Sequence, residues 1–168
     1  MASYGAACYA LFNLVFLALA GFLLEIGLEK TINSGPSGDV WQAVRVDLAL
    51  ILAFGFFHSL MAREGFKKRW TRIVPPSAER STYVLQASLF LILLMWHWQP
   101  LPFVIWNLQG TGAYIAYASF ATGNIIVLWA THAIDHYELF GLRQSWAAVT
   151  AKPVPEPAFK TPPLYRIV

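Results

Sequence analysis

The 168-residue sequence is poor in charge and in cysteine. Only 12% of its residues are Asp, Glu, Lys or Arg, whereas soluble domains carry about 25%. The single cysteine, Cys8, excludes an internal disulfide and therefore a disulfide-stabilised scaffold. Because 57% of the residues are hydrophobic, a soluble enzyme or a disordered chain is also disfavoured: a small domain cannot keep so much apolar surface from water. We therefore expect the chain to be embedded in a lipid bilayer, which is its first expected partner.

Charge is missing altogether from two long segments, residues 1–24 and 81–134. The first lacks the basic start of a secretory signal and is predicted to be a retained membrane helix. A membrane-spanning helix needs about 20 mostly apolar residues. On that criterion the sequence predicts an all-α, polytopic membrane bundle of about four helices, at residues 6–28, 44–62, 82–98 and 113–134. Pro and Gly residues between positions 100 and 112 mark the turn between the last two.

The basic residues fall mainly on one side of this topology. The connecting segments after the first and third helices hold two and zero Lys or Arg, whereas the segment after the second helix and the C-terminal segment hold six and four. The positive-inside rule places the richer side, and with it both termini, in the cytoplasm. The net charge of +3 is therefore read as a topology signal, and no nucleic-acid partner is expected. Two parts are predicted: a transmembrane bundle over residues 1–151 and a proline-rich cytoplasmic tail over residues 152–168.

Three ionisable residues lie together at the end of the fourth predicted helix. His132, Asp135 and His136 have offsets of three and four, which favour one helical face, and a helix continued past Gly141 would add Arg143 to it. Such a cluster fits a base whose tautomer is fixed by Asp135, a metal or haem site, or a polar helix end. Neither a cysteine partner nor an HExxH pattern accompanies it, so no metal ligand is predicted.

Two further polar residues, His58 and Arg80, lie near the ends of predicted membrane helices. His58, followed by Ser59 and Arg63, lies near the end of the second predicted helix and fits either a base or an interhelical hydrogen bond. Ser77 is the expected cap of the third helix. Arg80 would then enter that helix in its first turn, where a cation opposes the helix dipole. A carboxylate or phosphate facing Arg80 would explain its place.

Four contiguous runs point to a family. They are HSLMAR (residues 58–63), WTRIVPPSAERSTYVL (70–85), ELFGLRQSW (138–146) and FKTPPLYRIV (159–168). With these runs the chain resembles the bacterial methanethiol S-methyltransferases, which belong with NnrU-like proteins to the isoprenylcysteine carboxyl methyltransferase-like superfamily.

The resemblance implies an enzyme of the bacterial inner membrane that transfers the methyl group of S-adenosylmethionine to methanethiol, giving dimethyl sulfide. The implied substrate is a small thiol. The candidate catalytic residues are His58, His132, Asp135 and His136, and the candidate cofactor-binding residues are Arg80, Arg143 and Arg166. The arginines would hold the cofactor carboxylate or steer the substrate.

In the family, the region after LYRIV continues into an Arg-His-Pro-x-Tyr-x-Gly motif that supplies most of the cofactor site. The expectation is therefore a truncated chain, which is either a fragment or completed by a separately encoded C-terminal half. Two alternatives to the enzyme remain open: a non-enzymatic NnrU-type membrane accessory protein of nitrogen-oxide metabolism, and an inactive N-terminal fragment.

Overall fold

The computed structural model describes residues 1–35, 38–104 and 106–150, and no strand occurs among them. The helices of this part are α1 (Ala2–Leu24), α2 (Val40–Ala62), α3 (Glu64–Trp70), α4 (Pro76–His97), α5 (Thr111–Ile134), α6 (His136–Leu139) and α7 (Leu142–Thr150). The all-α prediction is confirmed. The predicted tail, residues 152–168, lies outside the described residues together with Arg166.

Three of the long helices, α1, α2 and α5, are long and apolar enough to cross a membrane. α4 has 22 residues, which gives it a length of about 33 Å at 1.5 Å per residue. It falls outside that set because polar residues in its first half, above all Glu79, Arg80 and Gln86, lower its mean hydropathy. Its serines Ser81 and Ser88 are buried inside the bundle, and both atoms of the Gln86 amide are buried as well.

Helices α1 and α4 run parallel to each other. The Tyr4 hydroxyl lies 3.0 Å from the Thr82 hydroxyl near the start of both helices. At their far ends the rings of Phe22 and Trp98 meet edge to face at 6.3 Å. These two pairs fix the register of the two helices along their whole length.

Helix α2 runs in the opposite direction to α4: Asp47, in its first half, accepts a hydrogen bond from the Gln99 N–H just past the end of α4. Helix α5 ends at the same end of the bundle as α2. His58, near the end of α2, contacts Tyr83 near the start of α4. His136, just past α5, contacts Tyr9 in the early part of α1. We call this end of the bundle, where α1 and α4 begin and α2 and α5 end, the polar end.

Small residues bring α1, α4 and α7 together at the polar end. The Ser81 and Ser145 hydroxyls are 3.2 Å apart, and both residues are buried. Gly5 faces Ser145 so closely that a Cβ built on Gly5 would lie 2.5 Å from Ser145 Oγ. Gly141, with φ +79°, approaches Ser81 in the same way. The junction therefore tolerates no side chain at either glycine.

Several predicted boundaries were wrong. α4 begins at Pro76 rather than at residue 82, because Pro75 is its N-cap and a proline is well suited to the first helical position. Ser77 is therefore not the cap; it lies inside α4, where its carbonyl accepts a hydrogen bond from the Ser145 hydroxyl. α1 ends at Leu24 because Glu25 adopts a left-handed conformation with φ 59°.

Gln86 is a polar side chain on α4 whose amide nitrogen and oxygen are both buried. Neither atom has a hydrogen-bond partner among the described residues. A buried unpaired polar group costs about 1 to 3 kcal/mol, so Gln86→Leu is expected to raise the free energy of unfolding by an amount in that range. The measurement is the unfolding transition of the detergent-solubilised chain, followed by circular dichroism.

The same substitution at Gln42, an exposed residue of α2, is the matched control and is expected to leave the transition unchanged. A lower stability for Gln86→Leu than for the wild type would mean that the amide has a partner in the native protein.

Candidate functional site

The chain breaks sharply after α5. Asp135 has extended backbone angles, φ 175° and ψ 97°, and its Oδ1 accepts a hydrogen bond of 3.1 Å from the Glu138 N–H. It is the N-cap of α6, a role that aspartate favours. A second break follows at Gly141, whose positive φ suits glycine. The helix therefore does not continue past Gly141, and the condition under which Arg143 would share a helical face with His132 is not met.

Arg143 nevertheless reaches Asp135 through these two turns. Its Nη1 lies 2.7 Å from Asp135 Oδ2, and the side chain of Asp135 is 12% exposed against 53% for that of Arg143. One carboxylate thus caps α6 and binds a guanidinium of α7. The ion pair joins the end of α5 to α7.

His132 and His136 are brought together although they do not share a helix. Their rings stack with centroids 4.2 Å apart and an interplanar angle of 18°. His136 is bonded at both nitrogens: Nδ1 lies 2.9 Å from Thr131 Oγ1, and Nε2 lies 2.7 Å from the Tyr9 hydroxyl. The last bond links α1 to the segment after α5.

The partners of His136 indicate its tautomer. Thr131 has one hydroxyl hydrogen, which it donates to the Leu128 carbonyl at 2.7 Å, so its oxygen accepts from His136. Nδ1 of His136 therefore carries the hydrogen. Nε2 then accepts from the Tyr9 hydroxyl, and both nitrogens of the neutral ring are satisfied.

The surroundings of His136 also favour the neutral ring. Burial lowers the pKa of His136 below the usual histidine value, the neighbouring His132 lowers it further, and the Asp135 carboxylate raises it by a smaller amount. The rings of Tyr9 and Phe140 lie on the apolar side of the imidazole, with centroids 5.6 and 4.8 Å from it. His136 is therefore expected to remain uncharged at neutral pH.

His132 differs from His136 in having a free nitrogen. Its Nδ1 lies 2.8 Å from the Leu128 carbonyl, which can only accept, so Nδ1 carries the hydrogen. Its Nε2 then holds a lone pair and makes no hydrogen bond within the described part of the chain. The residue is exposed. His132 is thus the imidazole of this pair that can accept a proton without losing an existing bond.

His58 is not part of this cluster. It pairs with Tyr83, whose hydroxyl lies 2.8 Å from Nε2, and it stacks on Phe54 at 5.3 Å. Its hydrogen bonds and ring contacts are to residues of α2 and α4, on which His132 and His136 do not lie. The interhelical hydrogen bond considered from the sequence is present. A catalytic role for His58 stays a prediction.

Arg80 lies beside the cluster rather than in it. Its Nε is 4.0 Å from Glu79 Oε2, and its side chain is 34% exposed. Its Cβ would lie 2.8 Å from a Cβ built on Gly141, so it adjoins the turn that carries Arg143. Of the three predicted cofactor arginines, Arg143 is bound to Asp135, Arg80 makes a longer ion pair with Glu79, and Arg166 lies outside the described residues.

Metal-ligating side chains do not assemble at this site. No group of three His, Cys, Asp or Glu side chains with suitable placement occurs in residues 1–35, 38–104 and 106–150.

Sequence reasoning missed Tyr9, Thr131 and Tyr83. Thr131 directly precedes His132, so a hydrogen bond between its hydroxyl and one of the histidines could have been predicted from the sequence. Tyr9 and Tyr83 lie in apolar runs 127 and 25 residues from the histidines they contact. Only the packing of the helices reveals those contacts.

These features define an α-helical membrane protein with an imidazole, carboxylate and guanidinium cluster at one end of its bundle. The chain belongs to the methanethiol S-methyltransferase family. It is 46% identical over 98% of its length to the methanethiol S-methyltransferase of Mycobacterium tuberculosis, of which it covers 68%. It is also 46% identical to that of a Pseudomonas species and 39% identical to methanethiol S-methyltransferase 2 of Bradyrhizobium diazoefficiens.

The chain spans about two thirds of the length of these relatives, with 64% of the Pseudomonas and Bradyrhizobium proteins covered. A more distant similarity, 30% identity over 72% of the chain, connects it to human Nurim. No family model matches the sequence, and no solved structure matches it.

Proposed function

We propose that the chain methylates methanethiol with S-adenosylmethionine as methyl donor, yielding dimethyl sulfide and S-adenosylhomocysteine. The observation that carries the proposal is the 46% identity to a methanethiol S-methyltransferase over 98% of the chain. The cluster at the polar end supports it, because methyl transfer to a thiol needs a group that takes up the thiol proton.

His132 is the proposed proton acceptor. The thiol S–H bond breaks, and its proton passes to Nε2 of His132, the nitrogen whose lone pair is free. The thiolate that remains is the nucleophile. Its sulfur forms the new bond to the methyl carbon while the bond from that carbon to the donor sulfonium breaks. The positive charge of the sulfonium and the negative charge of the thiolate are both lost.

The other residues of the cluster are proposed to position His132. The His136 ring supports it from one face and is itself held between Tyr9 and Thr131. Asp135 and Arg143 fix the turn that follows α5.

S-adenosylmethionine, when bound, would supply the electrophilic methyl group. Arg80 is the described residue best placed to hold its carboxylate, because its guanidinium is partly exposed and its own acidic neighbour is 4.0 Å away. Arg143 fits this role less well, since its guanidinium already contacts Asp135 at 2.7 Å.

The proposed setting is the bacterial inner membrane, with four crossing helices. α4 would be the fourth, because Ser81 and Ser88 are buried in the bundle and its 22 residues are long enough to cross. The basic residues at the polar end, among them Lys68, Arg69 and Arg80, favour a cytoplasmic polar end and cytoplasmic termini.

The test is product formation by the purified full chain in lipid nanodiscs. Methanethiol and S-adenosylmethionine carrying a deuterated methyl group are added, and the headspace gas is analysed by mass spectrometry. Deuterated dimethyl sulfide is the expected product. Calorimetric titration with S-adenosylmethionine on the same sample measures binding separately.

Empty nanodiscs and nanodiscs with the exposed His97→Asn variant are the controls for background and for a histidine outside the cluster. Binding without product would contradict methanethiol as the acceptor. The absence of both would contradict the enzyme assignment and favour a non-enzymatic membrane protein.

A further inference from the structure

The short connection between α2 and α4, residues 63–75, lies at the polar end and carries α3. α2 is apolar enough to cross a membrane, so its last residue, Ala62, lies near a membrane surface. α4 begins at Pro76 and packs along α2. With both ends tied to these helices, α3 cannot move far from the lipid headgroups.

This connection is strongly cationic. Arg63, Lys67, Lys68, Arg69 and Arg72 lie within it. In the described part of the chain the ion pairs are Arg80 with Glu79 and Arg143 with Asp135, and none of these five cations takes part in one. Lys68, Arg69 and Arg72 are exposed. An external anion can therefore reach them without displacing a protein carboxylate.

An apolar stripe runs beside these charges. The Phe66 and Trp70 rings stack at 5.8 Å, and Ile73, one turn further, is 78% exposed. Within α3 the four-residue spacing puts the partly exposed Phe66 and Trp70 on one face and Lys68 on the opposite face, with Arg69 at the edge between them. Arg72 and Ile73 follow in the turn after α3, and both are exposed. A cationic face beside an aromatic and aliphatic stripe is the pattern of a segment that lies in the membrane interface.

We infer that residues 63–73 form a binding surface for anionic phospholipids, in which Lys68, Arg69 and Arg72 contact the lipid phosphates and Phe66, Trp70 and Ile73 rest on the acyl-chain boundary. Phosphate is the anion that the membrane itself presents at this depth. A cluster of basic residues next to a membrane helix attracts such lipids. The apolar stripe gives a reason to prefer a lipid over a soluble anion, which would leave Ile73 in water.

The test is lipid retention by the purified full chain, measured by native mass spectrometry. The detergent-solubilised protein is mixed with equal amounts of phosphatidylglycerol and phosphatidylcholine. Preferential retention of phosphatidylglycerol, weakened by added salt, is the expected result. Equal retention of the two lipids would overturn the inference, and this comparison needs no variant.

The variant Lys68→Gln/Arg69→Gln/Arg72→Gln assigns the site. Because each basic residue near an anionic surface adds to the attraction for anionic lipid, removal of three of them is expected to lower phosphatidylglycerol retention at least about tenfold. The charge-preserving variant Lys68→Arg/Arg69→Lys/Arg72→Lys should retain the lipid. Arg45→Gln removes a charge at the other end of α2 and should also retain it. Unchanged retention in the glutamine variant would overturn the inference.

A third arm distinguishes a lipid from free phosphate. Inorganic phosphate in excess is not expected to displace phosphatidylglycerol, because it offers nothing to the Phe66, Trp70 and Ile73 stripe. Displacement by phosphate would overturn the assignment to lipid. These readouts do not depend on methyl transfer, so they stand or fall separately from the proposed function.

Discussion

Gly5→Ala is expected to loosen the junction of α1, α4 and α7. The new Cβ would lie 2.5 Å from Ser145 Oγ and 2.7 Å from Ser145 Cβ, distances that no packed pair of side chains adopts. α7 would have to shift away from α1, and overpacking of this kind costs about 1 to 3 kcal/mol. The thermal midpoint in detergent should fall by several degrees, since about 1 kcal/mol corresponds to roughly 2–4 °C for a chain of this size.

The chain supplies a matched control and a rescue. Gly123 lies within α5 with nothing within 4 Å of its would-be Cβ, so Gly123→Ala should be neutral or slightly stabilising, as alanine favours helices more than glycine does. Ser145→Gly should restore part of the stability lost in Gly5→Ala, because it removes both clashing atoms. Equal midpoints for Gly5→Ala and Gly123→Ala would contradict the close approach of α1 and α7.

The long helices were predictable because each contains a long run of apolar residues. Apolar runs of about 20 residues showed that four long helices exist, and their approximate positions followed from the charged and proline-containing segments between them. Their boundaries were harder to predict, since Pro75 and Pro76 form a helix start rather than a loop. The helices α3, α6 and α7 are too short to show a repeating pattern of apolar residues, so the sequence composition did not predict them.

The candidate site was predictable only in part. The sequence placed His132, Asp135 and His136 on one helical face and added Arg143 on the condition of a continuous helix, whereas in the structure two turns interrupt the chain between α5 and α7. They meet because Asp135 caps a new helix and Gly141 turns the chain, two local preferences that were visible but not combined. The contact with Tyr9 depends on how α1 packs against the segment after α5, and no local pattern records that packing.

His132→Asn is expected to abolish most methyl transfer while the fold remains. The asparagine amide can still donate to the Leu128 carbonyl, as Nδ1 of His132 does at 2.8 Å, but it offers no lone pair in place of Nε2. Loss of a general base lowers rates by about 10²- to 10⁴-fold. The deficit should shrink as the pH rises, because the thiol then ionises without help. Rates of dimethyl sulfide formation across pH, in nanodiscs, measure this.

The comparison with His136 decides which imidazole acts. His136 has its Nε2 lone pair occupied by the Tyr9 hydroxyl and its Nδ1 hydrogen by Thr131, so His136→Asn should cost far less activity than His132→Asn. The loss of activity in His136→Asn should also be nearly independent of pH, because this variant removes a residue that positions His132 and leaves the proton acceptor in place. A larger, pH-dependent loss in His136→Asn would reverse the two roles. In that case the Tyr9 hydroxyl would have to leave Nε2 before each turnover, and Tyr9→Phe would be expected to accelerate the reaction rather than slow it.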